Sequence, residues 1–221
     1  MEENFWHQKW EKGEIGFHRN EANTLLIENV GKLNLTKGSR IFLPLCGKTL
    51  DCSWLLASGY RVAGAELSEI AIRELFKELG VEPIISKIGN LELYTAKNIE
   101  IFVGNVFDVT AQLLGQVDAV YDRAALVALP LAMREKYTSH LIKITDIAPQ
   151  LLITYEYNQQ LIDGPPFSIT EEEVKQHYAN AYELKSVDHK EIVGGLKGKI
   201  ASSENVYLLQ KLNNICSLTS I

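Results

Sequence analysis

The feature that most constrains this chain is the stretch from Arg40 to Glu66, whose pattern predicts a β-strand, a tight turn, an α-helix and a second strand. Residues 40–43 are rich in strand-forming side chains, and apolar residues at near-helical spacing follow until Gly59. Residues 61–65 form a second run of strand formers, which ends at Glu66. Two such strands joined through a helix form a βαβ unit, which belongs to a parallel or mixed sheet covered by helices.

Glu66 stands where doubly wound sheets commonly carry an acid that binds a ribose. It lies nineteen residues after Gly47, which is the one glycine of the turn 45–48. A dinucleotide site needs three glycines so that a pyrophosphate can lie on the helix N-terminus. The pattern therefore favours a ligand with a ribose and no phosphate, such as S-adenosylmethionine. An ordinary loop followed by a solvated acid has the same spacing, and this alternative stays open here.

Charge and cysteine content exclude several classes of partner. The 221 residues carry a net charge of −6, whereas nucleic acids and anionic membranes require clustered Lys and Arg. Cys46, Cys52 and Cys216 are odd in number and form no CxxC pair, so we expect neither a zinc site nor a disulfide framework. The acidic N-terminus resembles no signal peptide, and no apolar run is long enough to span a membrane. We expect a soluble, cytoplasmic protein with a small-molecule substrate.

Residues 1–24 form a candidate aromatic lid. Trp6 and Trp10 are four residues apart, so on a helix they share one face, and Gly13 and Gly16 interrupt the helix after them. Such a helix could simply pack its aromatic side chains on the core. Alternatively, it closes over a bound sulfonium cation, which aromatic faces attract by about 0.5 to 2 kcal/mol. A closing segment also excludes water from a reaction.

Two further candidates follow the predicted strand 99–103. Asn105 and Asp108 lie at its carboxyl end, which is the edge where open α/β sheets bind ligands, so both residues could reach an adenine. For Asp108 we favour a different role, as the N-cap of a helix over residues 110–114.

Two charged residues end the next predicted strand, over residues 117–123. Asp122 and Arg123 arrive together at the same ligand-binding edge. A surface ion pair would contribute little to stability. We therefore favour a charge that is directed into the site.

The remaining pattern predicts an α/β fold with a doubly wound, seven-stranded, mostly parallel sheet and an antiparallel last strand. A helix is predicted over 69–79, with Ser68 as its N-cap and Gly80 at its end. The other predicted elements are a hairpin over 92–96 and 99–103, a buried strand over 151–157, a helix from Pro130 to about Ile144, a capping box at Thr170 and Glu173, and closing strands over 182–192 and 205–212. We expect a single domain over residues 1–221, with a frayed tail over 213–221. We also expect a monomer, because no apolar strand or helix face is left over.

Five stretches of the sequence, in order, resemble the thiopurine S-methyltransferase family, and in particular its bacterial branch. They are FWHQKWEKGEIGFH, FLPLCGKTLDCSWLLASGYRVAGAELSE, NVFDV, YDRAALVALP and GPPF. The resemblance covers nearly the whole chain, to about Leu212. It implies the Rossmann-like fold of S-adenosylmethionine-dependent methyltransferases and transfer of a methyl group to the sulfur of thiopurines and related thiols.

The resemblance also implies roles for individual residues. It assigns contacts with the cofactor, S-adenosyl-L-methionine, to Trp6, Trp10, Leu45, Glu66, Asn105, Val106 and Arg123. Phe17 and Arg123 are expected to face the substrate. Arg123 is the main catalytic candidate because a nearby cation favours an ionised thiol. Asp122 is a weaker candidate, as a base acting through water.

Two alternatives to a thiol acceptor remain at this stage. The same cofactor site could serve another soft nucleophile, such as a halide, thiocyanate, or a selenium or tellurium species. The fold could also serve as a non-catalytic sensor of an adenosine ligand. An aromatic lid argues against the sensor, since exclusion of water helps a reaction more than it helps a signal.

Overall fold

The structure is a computed structural model, and it describes residues 3–123 and 125–212. The helices are α1 (Glu3–Glu11), α2 (Thr24–Asn29), α3 (Asp51–Ala57), α4 (Glu69–Leu79), α5 (Ala111–Leu114), α6 (Ala125–Ala128), α7 (Leu131–Ile144) and α8 (Glu171–Tyr178). The strands are β1 (Arg40–Pro44), β2 (Arg61–Glu66), β3 (Ile84–Ile88), β4 (Leu91–Ala96), β5 (Ile99–Val103), β6 (Ala119–Asp122), β7 (Gln150–Tyr157), β8 (Tyr182–Glu191) and β9 (Ser202–Lys211). Cys216 and the tail that we expected to be frayed lie outside the described residues.

All nine described strands form one sheet, in the order β3-β4-β5-β2-β1-β6-β7-β9-β8. The central five strands are parallel, and an antiparallel pair flanks them at each edge. The doubly wound fold class is confirmed, but the predicted count of seven strands is wrong. The strand most clearly missed is β3, because it lies at the sheet edge and its largely exposed residues show no alternation of apolar and polar side chains.

The two faces of the sheet bury separate apolar cores. Side chains alternate between the faces of a strand, so Phe42 packs with Tyr137 on the face covered by α7 and α8. Ile41 instead packs on the opposite face, with Leu55 of α3 and Ile72 of α4. The charged side chains at the end of β6 are likewise divided between the two faces, as described below.

Most predicted helix ends are confirmed, and one is wrong. Ser68 caps α4 by accepting a hydrogen bond from the Ala71 amide at 3.3 Å, and Gly80 ends this helix with a left-handed φ of 68°. Asp108, however, is exposed and does not cap α5. Thr110 does so instead, by accepting a hydrogen bond from the Leu113 amide at 3.2 Å.

The exposed edge of β3 contradicts one premise of the predicted monomer. Ile84 is 75% exposed and Ile85 is 44% exposed on this edge strand. Exposed apolar side chains are therefore left over on an edge strand, and the monomeric state itself stays a prediction. Among the residues that the structure covers, no helix is long and apolar enough to cross a membrane.

Candidate active site

The reversal of strand order in the sheet marks the position of the candidate site. From β1 the chain moves to β2 and β5 on one side, and later to β6 and β7 on the other side. Ligands of open α/β sheets bind in the crevice at such a point, beyond the carboxyl ends of the strands. The crevice therefore lies between the turn that follows β1 and the residues that follow β6.

Glu66 ties the turn after β1 to the end of β2. Its Oε2 accepts a hydrogen bond from the Gly47 amide at 2.7 Å, and its Oε1 accepts one from the Ser68 amide at 2.9 Å. Burial raises the pKa of Glu66, and these amide donors act in the opposite direction. A carboxylate has about four lone-pair sites. The side chain can therefore still accept hydrogen bonds from a ligand.

Trp10 packs directly against this turn. A Cβ atom on Gly47 would lie only 3.2 Å from Cζ2 of the Trp10 ring. Gly47 also has a left-handed φ of 53°, so a side chain here would be strained as well as crowded. The glycine thus allows an indole ring to approach the backbone, and Leu45 opens the same turn with a φ of 49°.

Four aromatic rings contact one another in the N-terminal segment, which we call the lid (residues 3–24). Phe17 makes edge contacts with Trp6 and Trp10, with ring centroids 5.7 and 5.6 Å apart. Phe5 makes a similar contact with Trp6 at 5.2 Å. Trp10 is buried, whereas Phe17 remains 44% exposed. That the segment opens and closes, and that Phe17 faces a substrate, stay predictions.

Polar contacts hold the lid at both ends of the crevice. Asn105 Nδ2 donates a hydrogen bond to Glu3 Oε1 of α1 at 2.6 Å, while Asn105 Oδ1 accepts one from the Phe107 amide. At the other end, Arg19 Nη2 donates to Glu204 Oε1 on β9 at 3.1 Å. The lid therefore runs from the end of β5 to the start of β9.

Arg123 immediately follows β6 and lies on the lid side of the sheet, as does Tyr121 two residues earlier. Its Nε is buried without a hydrogen-bond partner, and no described carboxylate lies within ion-pair distance of the guanidinium. Burial acts to lower the pKa of Arg123, but Tyr155, Tyr121 and Asp51 hold it above the ordinary value. The site therefore contains a half-buried cation that has no ion-pair partner among the described residues.

Asp122 lies on the opposite face, where it caps α6. Its Oδ1 accepts hydrogen bonds from the Ala125 and Leu126 amides at 3.1 and 3.3 Å, and its Oδ2 accepts one from the Tyr137 hydroxyl at 2.7 Å. The side chain is 0% exposed, so the surface ion pair that we considered is wrong. This placement also argues against a catalytic base at Asp122, because both oxygens are used within the protein.

The burial of Asp122 gives a pH-dependent contribution to stability. Burial raises its pKa from 3.8 to about 6, although the Tyr137 hydroxyl and the α6 amides oppose the shift. The folded protein therefore holds this proton more tightly than the unfolded chain does. We expect the free energy of unfolding to fall by about 3 kcal/mol more in the parent than in Asp122→Asn as the pH rises from about 3 to about 7. Urea unfolding across this pH range measures the difference, and parallel pH profiles would contradict it.

Sequence reasoning missed two buried carboxylates near Arg123. Asp51 is buried and accepts hydrogen bonds from the Asn23 amide at 2.7 Å and the Tyr121 hydroxyl at 3.0 Å. Glu204 is buried and paired with Arg19. The polar run 202–205 was the available signal for Glu204. It opens strand β9, which begins at Ser202 and not at Asn205 as predicted.

Comparisons with known proteins agree with the architecture. A family model described as Thiopurine S-methyltransferase (TPMT) matches residues 1–212. A thiopurine S-methyltransferase from Xanthobacter autotrophicus is 49% identical over 212 residues, which are 96% of this chain and 100% of that relative.

Two solved structures share the fold at low sequence identity. A SAM-dependent methyltransferase from Anabaena variabilis superimposes with a TM-score of 0.66 at 15% identity over 95% of both chains. A 1,6-didemethyltoxoflavin-N1-methyltransferase from Burkholderia thailandensis, solved with bound 1,6-didemethyltoxoflavin and S-adenosylhomocysteine, gives a TM-score of 0.64 at 14% identity. That match covers 95% of this chain and 87% of the other. At these identities the structures establish the fold alone.

Proposed function

The chain belongs to the thiopurine S-methyltransferase family, and on this premise we propose that it methylates the sulfur of aromatic and heterocyclic thiols, with S-adenosyl-L-methionine as methyl donor. The observation that carries the choice of acceptor is the half-buried Arg123, whose buried Nε has no hydrogen-bond partner and whose guanidinium has no partner charge among the described residues. A nearby cation lowers the pKa of an acid, so Arg123 would favour the ionised form of a bound thiol. A thiolate is the reactive nucleophile.

The turn after β1 supports a cofactor site. When bound, the cofactor supplies a methyl group that is already activated by positively charged sulfur. The Glu66 carboxylate is fixed by two amides and retains capacity for ribose hydroxyls. The rings of Trp6 and Trp10 provide faces that attract a cation. We propose that the cofactor contacts are Trp6, Trp10, Leu45, Glu66, Asn105, Val106 and Arg123.

The acceptor side of the site needs alignment more than acid or base catalysis. Holding two reactants in an attack geometry can supply roughly 7 to 11 kcal/mol of a barrier. Phe17 offers a half-exposed ring beside Trp10, and we propose that it contacts the aromatic ring of the thiol. Asp122 has no place in this scheme, because its carboxylate caps α6.

Calorimetric titration with S-adenosylhomocysteine, followed by turnover of a thiopurine with methyl-labelled cofactor, tests this proposal. We expect micromolar binding and transfer of the label to sulfur. Binding without transfer to any aromatic thiol would contradict the proposed acceptor. Transfer to halide, thiocyanate, selenium or tellurium species would then identify another soft nucleophile, and absence of all transfer would indicate a sensor. Absence of binding would contradict the cofactor site itself.

A further inference from the structure

Two buried carboxylates share the face of the sheet that carries Arg123. Arg123 follows the end of β6 and lies near Tyr121, whose hydroxyl donates to Asp51. Alternation along β9 places Glu204 on the same face as Val206, which packs in the core beneath α2 and α3. Glu204 stands opposite Tyr155 in the register of β7 and β9, and Tyr155, Asp51 and Glu204 all act electrostatically on the Arg123 guanidinium. Either carboxylate would neutralise that cation if it formed an ion pair with it.

The two carboxylates are held away from Arg123 in different ways. Asp51 is bound by a backbone amide and a tyrosine hydroxyl, both of which belong to the buried framework. Glu204, in contrast, is paired with Arg19 at 3.1 Å. The Glu204 side chain is only 7% exposed, whereas that of Arg19 is 39% exposed and belongs to the lid. Glu204 therefore depends on a side chain of the lid, Arg19, for its charge partner.

We propose that Arg19 is a positioning residue for Arg123, because its ion pair with Glu204 keeps this carboxylate from pairing with Arg123 and leaves the Arg123 guanidinium free for the acceptor. A buried carboxylate that loses its partner is drawn to a neighbouring cation, since an uncompensated buried charge is unfavourable. Without Arg19, two cations on this side of the sheet can compensate Glu204: Lys190, which stands opposite it on β8, and Arg123. A pair with Arg123 would occupy the guanidinium that the acceptor thiolate needs. The inference rests on the proposed function, in which Arg123 receives a thiolate.

Four variants distinguish this role from one in which Arg19 only holds the lid against β9. Arg19→Gln should lower kcat/KM for an aromatic thiol by roughly tenfold or more, with the Kd for S-adenosylhomocysteine nearly unchanged. Arg19→Lys retains a cation and should restore most of the activity. Glu204→Gln removes the competing charge and should stay near the parent. The double variant Arg19→Gln/Glu204→Gln should therefore be rescued to the level of Glu204→Gln.

If Arg19 acts only by holding the lid in place, the activities of the variants should follow the opposite pattern. If Arg19 only secures the lid, Glu204→Gln and the double variant should lose as much activity as Arg19→Gln, and this result would overturn the proposal. Full activity of Arg19→Gln would overturn it as well. Lys12→Gln serves as the matched control, because it removes an exposed cation from the same segment. Thermal unfolding of each variant shows whether a loss of activity reflects a loss of fold.

A spectroscopic measurement tests the same inference without turnover. The protein saturated with S-adenosylhomocysteine is mixed with an aromatic thiol whose neutral and ionised forms differ in ultraviolet absorption, and the pH is varied. We expect the pKa of the bound thiol to be higher in Arg19→Gln than in the parent, and to return toward the parent value in the double variant. An unchanged pKa would overturn the proposal. Failure of the parent to bind or methylate any aromatic thiol would instead contradict the proposed function.

Discussion

Replacement of Glu66 by alanine is expected to weaken binding of S-adenosylhomocysteine by roughly 30- to 1000-fold, or about 2 to 4 kcal/mol. The variant loses the acceptor for the ribose hydroxyls. It also releases the Gly47 and Ser68 amides, which the carboxylate holds at 2.7 and 2.9 Å. The turn that carries Leu45 then loses its link to β2. Calorimetric titration measures the affinity, at a temperature at which circular dichroism shows the variant to be folded.

Two comparisons make the Glu66 prediction specific. Glu92→Ala removes an exposed glutamate from β4 and should leave the affinity unchanged. Burial raises the pKa of Glu66, so the affinity of the parent should also fall as the pH is lowered through a range above that of an ordinary glutamate. An unchanged affinity in Glu66→Ala would remove this residue from the proposed site and leave it as a structural link between strands.

The position of Glu66 could be predicted because it follows from local chain geometry. One βαβ unit fixes the distance along the chain between the first turn and the tip of the second strand, and Gly47 and Glu66 obey that spacing. Ser68 and Gly80 were predictable for a similar reason, since helix caps depend on neighbouring residues alone. The position of the lid over the sheet could not be predicted in this way. Its contact with Glu204 joins residues 185 positions apart, and no local pattern specifies such a contact.

The prediction that Asp122 and Arg123 reach the site together overlooked the alternation of side chains along a strand. Consecutive residues of a strand point to opposite faces, so Asp122 and Arg123 could not both face one site. The pattern did not reveal which of them would. The packing decides it, because Asp122 meets the Tyr137 hydroxyl and the first amides of α6 on one face. Arg123 is left on the other face, with the lid.

The expected effect of Arg123→Lys is a fall in kcat/KM for an aromatic thiol of roughly 10- to 100-fold, with a much smaller loss of affinity for S-adenosylhomocysteine. Lysine keeps the positive charge but loses the planar guanidinium, whose Nε is buried and unpaired here. The charge should therefore sit less close to the sulfur and lower the pKa of the bound thiol less effectively. Initial rates and calorimetry on the same preparation measure both quantities.

A series of thiols of graded acidity separates the two roles assigned to Arg123. If Arg123 favours the ionised acceptor, Arg123→Lys should impair weakly acidic thiols most, because a strongly acidic thiol is ionised at neutral pH without help. Arg73→Lys is the matched control, since Arg73 is an exposed arginine of α4 that pairs with Glu69. Equal losses of turnover and cofactor affinity across the series would instead make Arg123 a cofactor clamp. In that case the Arg123 cation would act on the methyl donor, and the choice of acceptor would have to come from the aromatic rings of the lid.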